Sequence, residues 1–94
     1  MSNADNQVII TVSGTDKIGI VAGVSNKLLQ YNVNIEDISQ TVLGDYFTMI
    51  MLVSLDSASI KFADLVKKAE ILGKESGVEI HVQNEEIFNA IHKI

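Results

Sequence analysis

Gly14-Thr15-Asp16-Lys17-Ile18-Gly19-Ile20-Val21-Ala22-Gly23-Val24 follows directly on the apolar run Val8 to Val12, and this junction decides how the chain folds. Val8, Ile10 and Val12 alternate with Ile9, Thr11 and Ser13, the period of a strand with one fully apolar face. Past Asp16 the period changes: Ile20, Val21, Val24, Leu28 and Tyr31 recur at helical spacing, while Ser25, Asn26, Lys27 and Gln30 fall on the other side. A strand therefore empties through a glycine-bearing turn into a helix. Backbone N–H groups converge where that helix begins, a place suited to a small anion. No reactive side chain accompanies them, so the junction points to binding rather than chemistry.

Outward from this junction the pattern continues without linkers. Tyr31-Asn32 ends the helix, and Val33 to Leu43, too polar and β-branched to extend it, reads as a second strand. Gly44-Asp45 then precedes the run Tyr46 to Leu55, the pattern of a tight hairpin with φ > 0 at its corner. In that third strand Phe47, Met49, Met51 and Val53 make one apolar set and Tyr46, Ile50 and Leu52 a second, which predicts a central position. Asp56-Ser57-Ala58-Ser59 is turn and cap material, and Phe62, Leu65, Val66, Ala69, Leu72 and Gly73 mark a second helix with Gly77 as its left-handed exit. Val78, Ile80 and Val82 form a fourth, half-buried strand, and Asn84 starts a short helix with Glu85 and Glu86 in its first turn.

The expected architecture is α+β: a ferredoxin-like βαββαβ sandwich whose four-stranded antiparallel sheet has the order 4-1-3-2, with two helices on one face and a short C-terminal helix. Residues 1–7 are expected to be a flexible lead-in, residues 8–84 the domain and residues 85–94 the terminal helix.

Composition narrows the function. The 94 residues are 47% hydrophobic and 20% charged with no proline, an ordered globular composition with enough apolar surplus to predict a homodimer. Seven lysines, no arginine and twelve acids give a net charge of -5, which opposes phosphate contacts and argues against nucleic acid. Without arginine, a bound acid must be held by backbone amides or lysine. Cysteine is absent, removing disulfides, thiolate nucleophiles and thiolate metal sites. The polar start Met1 to Gln7 has neither the basic beginning nor the apolar stretch of a leader, and no apolar run approaches the length of a membrane span, so a cytoplasmic location is expected.

Because this fold hosts many functions, the site has to decide. A phosphate-cradling acylphosphatase loop needs an arginine, a soft-metal chaperone needs paired cysteines, and an RNA-recognition sheet needs basic residues beside its aromatics; none is present. His81 and His92 have no second imidazole at ligand spacing, so no metal site is expected. Ser39, Thr41, Ser54, Asp37 and Asp56 assemble into no nucleophile motif, so no enzyme and no cofactor is expected. What remains is a small-molecule sensor.

The run Asp16 to Val24, with its D-x-x-G-x-x-x-x-V spacing, followed by Asn32-Val33-Asn34-Ile35, resembles an ACT domain. Asp37-Ile38-Ser39-Gln40-Thr41 and Tyr46-Phe47-Thr48-Met49 resemble the small bacterial proteins made of a single ACT domain. The resemblance implies a non-catalytic regulatory module that binds an amino acid or similar metabolite, commonly at an interface between two such domains. Carried over by position, the ligand would touch Asp16, Lys17, Ile18, Gly19, Ile20 and Val21 in the first turn, and Asn34, Ile35 and Asp37 in the second strand. The first-turn amides would take a carboxylate; the Asn34 oxygen or the Asp37 carboxylate would accept from an ammonium. Each residue also has a plain structural role: Asp16 caps a helix, Gly19 permits close packing, Asn34 satisfies a turn. The alternative function is a protein–protein adaptor dimer that acts on a regulated protein partner and uses no small molecule.

Overall fold

A computed structural model describes residues 6–84. Its elements are β1 (Gln7–Gly14), α1 (Lys17–Gln30), β2 (Asn34–Leu43), β3 (Tyr46–Ser54), α2 (Phe62–Ser76) and β4 (Glu79–Asn84). The sheet order is β2-β3-β1-β4, the expected one, and all its pairings are antiparallel. Asn84 is the last residue of β4, and the terminal helix expected over 85–94 lies outside the described residues.

Alternation in β1 determines which residues form the core. Val8, Ile10 and Val12 are buried and pair with Val53, Met51 and Met49 of β3; these six share one cluster with Ile20, Val24 and Leu28 of α1 and Leu65 of α2. The doubly apolar β3 does sit between two other strands, and Phe47, Met49, Met51 and Val53 are almost completely shielded. On the opposite face Ile9, Thr11 and Ser13 pair with Leu52, Ile50 and Thr48, a mixture that matches the weaker alternation there.

The turns follow from residues that tolerate positive φ. Gly44 turns the β2–β3 hairpin at φ 61°, and Gly77 ends α2 at φ 69° while its N–H returns to the Gly73 carbonyl. Helix α1 ends without glycine. Asn32 takes φ 55°, its amide bonds the Leu29 carbonyl at 3.1 Å, and the Val33 amide bonds that of Leu28 at 2.9 Å. This is a Schellman exit, closed by the buried pair Leu28 and Val33. The Asn32 side chain adds a bond to the Ser57 carbonyl at 2.9 Å, tying the α1 exit to the loop before α2.

One detail corrects the sequence reading. The segment 56–59 does not cap α2: the cap position belongs to Lys61, which makes no side-chain cap bond, and the Ser59 hydroxyl instead donates to the Tyr31 carbonyl at 3.2 Å.

Candidate functional site

Asp16 organises the strand-to-helix junction. Its carboxylate accepts from the Gly19 amide at 3.0 Å and its carbonyl from the Ile20 amide at 2.9 Å. The first-turn amides of Lys17 and Ile18 have no partner among the described residues and face outward at the helix start. Two of the four leading donors are thus used by the cap and two remain. Gly19 also suits the cap: a Cβ there would stand 2.5 Å from the Asp16 Oδ2 and push that carboxylate aside.

Two concavities flank this turn. One, of about 250 Å³, lies between the α1 start and the α2 end and is lined by Asp16, Gly19, Ile20, Gly23, Leu72, Ser76 and Val78. The other, of about 360 Å³, lies on the β2 side and is lined by Lys17, Ile18, Val21, Ala22 and Gln40. Above its floor the Lys17 ammonium sits 5.7 Å from the centre of the buried Phe47 ring, a cation–π contact that holds a positive charge beside the open amides.

The structure brings Asp16, Lys17, Ile18, Gly19, Ile20 and Val21 together, with Ile20 buried beneath the turn. Asn34 and Ile35 are elsewhere. Asn34 pairs with Ser54, opposite Gln7 at the far end of β1, whereas the helix start adjoins Gly14; seven strand residues, about 23 Å, separate the two ends. Asn34 lines a polar hollow of about 380 Å³ with Asn32, Glu36, Ser54 and Asp56, where Glu36 accepts from the Gln7 side chain and Asp56 from that of Asn6. Asp37 pairs with Leu52 and so faces the side of the sheet away from α1, with its carboxylate accepting from the Ile38 amide at 2.9 Å.

A register shift between Ile35 and Asp37 explains why Asp37 takes the far face. Glu36 is the extra residue, so Ile35 and Ile38, three apart, both lie on the helix side with Gln40 and Val42. Sequence reasoning missed Gln40 as a neighbour of the first turn. The signal was the three-residue spacing of Ile35 and Ile38, which no unbroken strand would put on one face.

Among the described residues no group of three His, Cys, Asp or Glu is arranged to hold a metal ion, and no helix is long and apolar enough to cross a membrane.

Comparison with known proteins agrees with this fold. A UPF0237 protein of Listeria monocytogenes is 49% identical over 90 residues, spanning 94% of this chain and 99% of its own. The solved ACT domain protein from Streptococcus pneumoniae is 48% identical with a TM-score of 0.76, over 88% of this chain and 93% of that one. A formyltetrahydrofolate deformylase from Pseudomonas syringae, at 20% identity and TM-score 0.74, shares the fold over 83% of this chain but only 27% of its own length. The sequence profile of the ACT domain matches residues 6–83. The chain, from its first strand to its last, belongs to the ACT domain family.

Proposed function

We propose that this chain is a non-catalytic regulatory module that binds an amino acid or similar small metabolite at the α1 start, in a site completed by a second copy. The observation that carries the reading is the separation of the two halves of the site along an unpaired sheet edge. β2 pairs with β3 alone, all ten of its residues are exposed, and Ile35, Ile38 and Val42 leave 40%, 44% and 57% of their surfaces in water on the helix side. Ile18, on the first turn of α1 beside Gln40, is 82% exposed. A long edge strand with apolar side chains is a template for another strand. The other edge, β4, carries Glu79 and His81 outward and is less suited to it.

Antiparallel pairing of β2 with its own copy, centred on Ser39 so that residues of one face meet residues of the same face, sets Asp37 opposite Thr41 of the partner subunit rather than opposite another acid. With Glu36 again the extra residue, the same register brings Asn34 of the partner subunit opposite Leu43, at the end of the sheet where Lys17 and Ile18 present their amides. An amino acid carboxylate would then meet two amides and the Lys17 ammonium, and its own ammonium would meet the Asn34 oxygen of the partner subunit.

Sedimentation combined with a thermal-shift screen of the twenty amino acids tests this. The expected result is a dimer at micromolar concentration and one compound that, at a hundred times its Kd, adds about 2.7 kcal/mol. That gain should disappear in Asn34→Leu. A stable monomer that still binds would overturn the shared site; a dimer that binds none of them but retains a defined protein partner would favour the adaptor function.

A further inference from the structure

Between α1 and α2, on the side of α1 away from β2, lies an apolar groove of about 150 Å³ that has no part in the site above. Its floor is sheet, with Ile10 and Val82, and its walls are Leu28, Leu65 and Leu72. Leu72 and Val82 are only half-buried although they pack against the core cluster, so among the described residues the groove is left open over side chains that water does not favour. Its volume equals that of an aliphatic-lined cavity large enough to hold benzene, which limits an occupant to a short apolar body of about that size.

The charges at its mouth are sorted. Lys27 from α1 and Lys68 from α2 stand on opposite walls with Glu75 as the single acid, a local positive excess in a chain of net charge -5. Neither lysine makes an ion pair among the described residues. Tyr31 is the one uncharged polar side chain on the lining; the remaining wall residues are apolar, and at the mouth an occupant meets two ammonium groups and one carboxylate. We infer that this groove binds a small monocarboxylate with a compact aromatic or branched body, the ring or branch between Leu28, Leu65 and Leu72 and the carboxylate between Lys27 and Lys68. The α-ammonium of an ordinary amino acid would be placed against lysine there, so this ligand class differs from that of the α1 start.

The probes are sodium phenylacetate, benzyl alcohol and sodium acetate, added to the full chain and followed by backbone amide NMR shifts. Phenylacetate is expected to saturate with shifts confined to residues around Leu28, Ala69, Leu72 and Val82. Benzyl alcohol, matched in body but uncharged, is expected to bind about tenfold more weakly, and acetate to produce no mapped shifts. Lys27→Gln with Lys68→Gln, both exposed, should reduce phenylacetate to the level of benzyl alcohol without changing the circular dichroism. Ala69→Phe should fill the groove and abolish binding of both, while Asn34→Leu should leave binding intact. Shifts at Lys17 and Ile18 in place of the groove, equal affinity for the charged and uncharged probes, or no response at tens of millimolar would overturn the inference. So would binding that appears only after residues 85–94 are removed, because the groove would then belong to the chain itself.

Discussion

At the scale of single residues, Asp16 and Gly19 form one unit, and their energetics should be non-additive. Asp16→Ala removes a side-chain cap on the Gly19 amide and is expected to cost about 1 kcal/mol. Gly19→Ala gains up to about 1 kcal/mol of helix propensity, yet its Cβ would stand 2.5 Å from the Asp16 carboxylate and push the cap aside. In the wild-type background these effects oppose and Gly19→Ala should be neutral or destabilising. In the Asp16→Ala background nothing opposes the propensity gain, and the same substitution should stabilise. Urea midpoints at constant m-value measure all four corners of the cycle. Equal effects of Gly19→Ala in the two backgrounds would show that the cap and the glycine are independent. Sequence alone ranked ligand access and packing as explanations for this glycine, because a clash with a side chain three residues earlier depends on the rotamer of Asp16. The αL turn at Gly77, in contrast, was legible, since a helical period ending just before glycine has few other meanings.

At the scale of elements, the strands and helices were readable because each buries one periodic face. β1 alternates and its even residues are in the core; β3 is apolar on both faces and is internal. Caps were less readable. Ser59 has the chemistry of an α2 cap, but its hydroxyl donates to the Tyr31 carbonyl at the α1 exit, where Asn32 also bonds the Ser57 backbone carbonyl. Helix α2 therefore starts at Phe62 behind Lys61, whose φ and ψ of -90° and 160° are extended and which offers no side chain to accept from the first turn. The position has cap geometry without cap chemistry, and a cation there opposes the helix dipole. Lys61→Asp is expected to stabilise the protein by about 1 kcal/mol, a rise in Tm of about 4–8 °C for a domain of this size. A scan showing no rise would mean that the α2 start is already satisfied by solvent. Lys61→Ala, which lacks the acceptor, is the control for the charge alone.

At the scale of the whole molecule, the part of the site that sequence could not arrange is its connection across space. Asp16 to Val21 and Asn32 to Ile35 are close in sequence, separated by one helix, and that helix carries the chain from one end of the sheet to the other. Spacing along a chain gives no sign of this, because a helix of fourteen residues spans about 21 Å, nearly the length of β1. The two-fold partner proposed along β2 would undo the separation, and it would make stability depend on concentration. Anything that binds the folded state but not the unfolded one raises apparent stability by mass action, and a second copy is such a ligand. The Tm of the wild type should therefore climb with protein concentration across the micromolar range. Ile38→Lys with Val42→Lys places two charges on the edge and removes its apolar side chains, both partly exposed in the single copy, so the fold of each chain should survive. This variant should sediment as a monomer, show a Tm independent of concentration, and lose any amino acid shift that Asn34→Leu also loses. A variant that stays dimeric would place the contact elsewhere, on the sheet face of Ile50 and Leu52 or at the helices, and would leave the amides of Lys17 and Ile18 without a counterpart.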